Sequence, residues 1–91
     1  MNPRYRRHPE LRLAAVEGEG VVLHLGTRRY FSVNDSGLTL LEALATPQSF
    51  EDLVAALVQR YDVTATGAGE SVHEFLERCL AAKLLVVEGG G

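Results

Sequence analysis

Along the first third of the chain apolar and polar positions alternate, and beyond it they recur with a period near 3.6. Leu11, Leu13 and Ala15 alternate with Arg12, Ala14 and Val16, residues 17–20 form a Glu-Gly-Glu-Gly turn, and residues 21–25 make a second strand. Gly26-Thr27 supplies the next turn into residues 28–33, where Tyr30 and Ser32 share one face and Phe31 and Val33 the other. The pattern predicts a three-stranded antiparallel meander. Its third strand runs into a helix rather than into another strand, so it is expected to be an edge with unpaired backbone groups.

Asn34 is the expected N-cap of that helix, with Asp35 near the positive end of the dipole and Leu38, Leu40, Leu41 and Leu44 on the apolar face. Pro47 ends it after about residue 45. Residues 49–52, Ser-Phe-Glu-Asp, have the form of a capping box opening a second helix, whose stripe is Leu53, Val54, Leu57, Val58 and Tyr61. Gly67 and Gly69 blur the start of the third, expected between residues 65 and 69; from Glu70 on, Val72, Phe75, Leu76, Cys79 and Leu80 fall on one face as far as Lys83. Residues 84–88 are expected to be a short extended tail. The fold class predicted is α+β, winged helix-turn-helix-like, with a three-stranded antiparallel sheet followed by three helices.

Ninety-one residues suffice for one core but not two. The expected organisation is a flexible basic arm at residues 1–10, where two prolines interrupt any periodicity, a single domain at 11–88 and a disordered tail at 89–91. Hydrophobic residues make up 46% and charged residues 23%, and no apolar run approaches the roughly 20 residues that span a bilayer. No membrane association is expected, and with no apolar stretch behind the basic N-terminus the expected location is the cytoplasm. The net charge of −3 is unevenly spread: residues 1–33 hold six Arg against three Glu, and residues 34–91 three cations against nine anions. A basic front half could steer an acidic ligand toward the strands.

Catalytic chemistry finds little support. Cys79 is the lone cysteine, which excludes an internal disulfide and a multi-cysteine zinc site, and its place between Phe75 and Leu80 suits a small core hydrophobe better than a nucleophile. His73-Glu74 begins like a metalloprotease helix, but Glu77 stands where the second His would be, so His73 and Glu77 are expected to be surface neighbours. His24, between Leu23 and Leu25, is expected to face solvent. No enzyme activity, metal or cofactor is anticipated. A DNA-binding winged helix is one alternative, with Arg28, Arg29, Arg4, Arg6 and Arg7 touching phosphate. Residues 62–77, however, contain no Lys, Arg, Asn or Gln and four acidic residues, and such a helix is repelled from a groove.

A free strand edge beside an apolar helix face suits an extended peptide that adds itself as a strand. The candidate peptide-binding residues are Arg28, Arg29, Tyr30, Phe31, Ser32 and Val33 on the strand, with Val72, Phe75, Leu76, Cys79 and Leu80 on the third helix. A small scaffold subunit docking a protein on the same edge is a further alternative.

Residues 29–37 (RYFSVNDSG), then residues 41–44 (LEAL), Leu53-Val54 with Leu57, residues 61–63 (YDV), Val72 with Phe75-Leu76, and Leu84-Leu85 give the chain a likeness that covers about residues 11–86. It resembles the PqqD-like leader-recognition proteins of ribosomally made, post-translationally modified peptides, and among them is most similar to the B1 proteins of lasso-peptide pathways. The resemblance implies a protein that binds a precursor's leader segment by strand addition to its third strand, in a groove with its third helix. The bound precursor is delivered to a separate partner: a leader peptidase of cysteine-protease type, another modifying enzyme, or, for a PqqD-type chaperone, a radical enzyme. It suggests leaders bearing a Tyr-x-x-Pro element. Monomers or weak edge-paired dimers are expected.

Overall fold

The computed structural model describes residues 3–17 and 19–88. Its elements are β1 (Arg4–Arg7), β2 (Leu11–Val16), β3 (Glu19–His24), β4 (Arg29–Val33), α1 (Asp35–Ala43), β5 (Gln48–Ser49), α2 (Phe50–Arg60), α3 (Ala65–Ala81) and β6 (Leu85–Glu88). The predicted meander forms a sheet of order β2-β3-β4, and the three helices follow as predicted. A second sheet, of order β5-β1-β6, was not foreseen. The tail expected at residues 89–91 lies outside the described residues.

Residues 4–7 are therefore no flexible arm. They form the central strand of the second sheet, pairing Arg4 to Arg7 with Glu88 to Leu85 on one side and Arg4 and Tyr5 with Ser49 and Gln48 on the other. Tyr5 packs half-buried on the core. The Arg7 amide donates to the Leu44 carbonyl at 2.8 Å, and the Arg6 guanidinium pairs with Glu88 at 2.6 Å. The extended residues at the C-terminal end are this strand's partner rather than a loose tail.

In the meander, Leu11 pairs with His24, Val16 with Glu19, and Val22 with Phe31. The second strand starts at Glu19 rather than at Val21, because Glu17, at φ 47°, already reverses the chain. Gly20 then passes close beneath α1. A Cβ there would lie 2.7 Å from Val33 Cγ2 and 3.0 Å from Leu38 Cδ1, so no larger residue fits without displacement. Arg28 was expected on the third strand but occupies the preceding turn with φ 60°. His24 is buried, not solvent-facing. Its Nδ1 accepts the amides of Gly26 (3.1 Å) and Thr27 (3.3 Å), and its ring centroid lies 4.5 Å from that of His8. Those turn amides give a buried imidazole the partners that its apolar sequence neighbours do not.

The helices begin where the local chemistry indicates. Asn34 Oδ1 accepts the Gly37 amide at 2.8 Å, and the Ser49–Asp52 capping box is closed in both directions at 3.1 and 3.0 Å. The bonds from the Ser49 backbone and hydroxyl hold the Asp52 carboxyl below its ordinary range, so this cap contributes above the unfolded pKa and is lost as pH falls through the folded one. Thr64 caps α3 through the Gly67 amide at 3.0 Å, so the glycine-bearing segment belongs wholly to that helix.

α3 ends at Ala81, two residues before the expected Lys83, in a Schellman motif. The Leu84 amide donates to the Cys79 carbonyl (2.9 Å) and the Lys83 amide to the Leu80 carbonyl (3.1 Å), with Lys83 at φ 61°. Lysine is strained there. Lys83→Gly should relieve the left-handed strain by more than it adds to unfolded-chain entropy, a net gain of about 0.5–1 kcal/mol. A thermal melt should show Tm raised by about 4 °C.

Leu40, Leu41, Leu44, Leu53, Val22 and Val72 are the largest fully buried side chains; α1 packs between the meander and α2, and α2 in turn against α3. Among the described residues no helix is long and apolar enough to cross a membrane.

Candidate functional site

Among the described residues β4 pairs with β3 on one side and with no strand on the other. Two bonds fix which of its backbone groups are free: the Leu25 amide donates to the Glu10 carbonyl (3.0 Å), and the Arg28 amide to the His24 carbonyl (2.8 Å). Successive residues of a strand turn their backbone groups to opposite neighbours. Leu25, Leu23 and Val21 therefore face β2, while His24, Val22 and Gly20 face β4 and engage Arg29, Phe31 and Val33. The N–H and C=O of Tyr30 and Ser32 point outward.

That edge borders an open groove of about 600 Å³ between β4 and α3. Phe31 and Val33, on the inner face of the strand, form one wall with Ser32, and the α1 start adds Asn34, Ser36 and Gly37. Leu40, Leu57 and Leu84 reach the floor from the core, and α3 contributes Ser71, Glu74, Phe75, Arg78 and Cys79, with Ala82 at its C-cap. The lining combines an apolar bottom with a polar rim, as small-ligand and peptide clefts do.

Of the residues selected from sequence, Phe31, Ser32, Val33, Phe75 and Cys79 meet in this groove. Arg29 and Tyr30 lie on β4 outside the lining, Tyr30 with 75% of its surface exposed on the opposite face of the sheet, and Arg28 is in the turn. Val72 and Leu76 are buried in the core, and Leu80 is exposed away from the groove. The reason is helical phase. Positions 71, 74, 75, 78, 79 and 82 share one face by their three- and four-residue spacing, whereas 72, 76 and 80 lie on the adjacent stripe. Choosing α3 residues by apolarity selected both stripes and missed Ser71, Glu74, Arg78 and Ala82; extending the phase of Phe75 would have found them. The Asn34, Ser36 and Gly37 contribution carried its signal in the N-cap itself.

Burial pushes the Cys79 thiol up to about 11 from 9.0, with nearby Arg78 pulling weakly the other way. Its thiolate is disfavoured. Iodoacetamide at about pH 8 should therefore leave Cys79 unmodified in the folded protein and modify it once denaturant is added, as mass spectrometry would show. Because the folded pKa exceeds the unfolded one, the protonated thiol favours the fold below pH 9, and that contribution is lost as pH rises to about 11. Among the described residues no group of three or more His, Cys, Asp and Glu side chains is placed to hold a metal ion.

A family model for coenzyme PQQ synthesis protein D (PqqD) matches residues 19–85, a span that contains β3, β4 and all three helices. No curated protein matches the chain. Two solved structures share its fold. One is TbiB1 in complex with the TbiA(beta) leader peptide, at 24% identity and a TM-score of 0.77, covering 94% of this chain and 98% of that one. The other is a lasso peptide synthetase B1 complexed with the leader peptide, at 21% identity and a TM-score of 0.74, covering 90% and 96%. At such identities the likeness speaks for the fold. The family model itself covers most of the chain, and on that match, together with the winged-helix-like arrangement of one meander and three helices, the chain belongs to the PqqD family.

Proposed function

We propose that this protein binds the leader segment of a ribosomally made precursor peptide as an additional strand on β4. The observation that carries the proposal is the edge itself: the outward backbone groups of Tyr30 and Ser32 stand beside an apolar groove wide enough for side chains. Main-chain bonds to that edge give affinity without regard to sequence, and every second side chain of the added strand enters the groove, where shape and charge select. Family membership and the two leader-bound proteins of like fold support the same reading.

The protein carries out no chemistry in this account. Holding the leader tethers the precursor's remaining residues near a partner enzyme and raises their effective concentration at its active site. For a lasso-peptide pathway that partner is a separate leader peptidase of cysteine-protease type. DNA binding is the weaker reading, because Glu70, Glu74 and Glu77 line exposed turns of α3.

Fluorescence anisotropy tests the proposal, using a labelled synthetic leader from a precursor encoded beside this protein, its scrambled counterpart and a labelled DNA duplex. The expected result is saturable binding of the leader alone. Binding of the duplex, or equal binding of leader and scramble, would overturn it.

A further inference from the structure

Resting on the leader-binding reading, we infer that Glu74 and Arg78 make the groove read charge: it selects a peptide strand carrying a cationic and an anionic side chain two residues apart. Both residues line the groove from α3. Neither has an ion-pair partner or a side-chain hydrogen bond among the described residues, whereas His73 and Glu77 on the same helix pair with each other. Two opposite charges thus stand unpaired on the wall that faces the free edge of β4.

Their spacing matches that of an added strand. Glu74 and Arg78 are separated by about 6 Å along the helix axis, four residues at 1.5 Å each. Alternate residues of an extended chain are about 6.8 Å apart and point to the same side. A strand laid along α3 in the groove brings two neighbouring groove-facing side chains opposite Glu74 and Arg78 in turn. Phe75 and Cys79 have the same four-residue spacing, so the methylene stem of a Lys or Arg can lie on apolar surface while its head reaches the Glu74 carboxylate, with an Asp or Glu of the peptide meeting Arg78. A peptide with the two charges exchanged places like charges together at both positions, which penalises it twice. Arg28 and Arg29, the cations among the candidate peptide-binding residues, stand outside the groove lining, and Arg78 is the cation within it.

The test is a selection from a display library of short random peptides on four forms of the full chain: wild type, Glu74→Arg/Arg78→Glu, Glu74→Gln/Arg78→Gln, and Ser32→Pro, which blocks the edge. Thermal melts accompany each form to establish that it is folded. Wild type should enrich strands with opposite charges two residues apart in one fixed order, the reversal variant the opposite order, and the glutamine variant neither order. Exchanging the two charges in a selected peptide should weaken wild-type binding about tenfold or more and restore it on the reversal variant. Raising the salt concentration should narrow that difference. Identical enrichment on wild type and the reversal variant overturns the inference while leaving the leader-binding reading intact. If binders survive unchanged on Ser32→Pro, both the edge and the reading fail.

Discussion

Replacing Ser32 with proline should abolish most leader binding, by about tenfold or more, while leaving the fold in place. The Ser32 N–H points away from β3, so the substitution removes no bond of the existing ladder, and Ser32 is an exposed residue on an edge, where proline is tolerated. An added strand loses the main-chain donor it pairs with and meets the pyrrolidine ring at the closest point of approach. One lost bond amounts to about 1 kcal/mol, and displacement of the flanking bond at Tyr30 roughly doubles it. Phe31→Pro is the matched control: its N–H faces β3 opposite Val22, so that variant should lose stability first. Calorimetric titration with a synthetic leader, paired with a thermal melt of each variant, distinguishes the two. Unchanged affinity for Ser32→Pro would show that the peptide does not join this edge.

Removing residues 1–7 should destabilise the chain by on the order of 3 kcal/mol, lowering Tm by more than about 10 °C. Judged by sequence, this segment is dispensable. In the structure it holds β5 and β6 in one sheet, lays Tyr5 on the core, and bonds the end of α1 through the Arg7 amide to Leu44 and the Arg7 guanidinium to Leu41. Against a total of roughly 5–15 kcal/mol for a domain, such a loss is large. It also reaches the groove indirectly, since β6 follows Leu84, which lines the floor. Leader binding should weaken in the truncated chain in proportion to its unfolded fraction and recover on cooling toward its temperature of maximum stability. A truncated chain that melts like the full one would return these residues to the status of an arm.

Why that segment was illegible is a matter of range. The meander, the N-caps at Asn34 and Ser49 and the apolar stripes of the helices are encoded within a few residues, and each formed close to where its local pattern put it. β1 instead finds its partners more than forty residues away on one side and about eighty on the other, and a four-residue run of mostly Arg has no periodicity to declare it a strand. His24 was misplaced for a related reason: alternation assigned a face but did not reveal that the turn amides and His8 close over it. At the groove, the strand side was legible because β4 alternates cleanly. On α3 and its C-cap half of the lining is charged or hydroxylic, namely Ser71, Glu74 and Arg78, and apolar periodicity alone does not single these residues out.

The most direct test of strand addition is amide hydrogen exchange followed residue by residue with and without a bound leader peptide. In the free protein the Tyr30 and Ser32 amides should exchange quickly and those of Phe31 and Val33 slowly, because only the amides of the latter two point toward β3. With the leader bound, protection should appear at Tyr30 and Ser32, and amide shifts should run along α3 at Ser71, Glu74, Phe75, Arg78 and Ala82 rather than at Val72, Leu76 and Leu80. Saturating leader that leaves the Tyr30 and Ser32 amides as fast as before would contradict the account, whatever else in the spectrum moved.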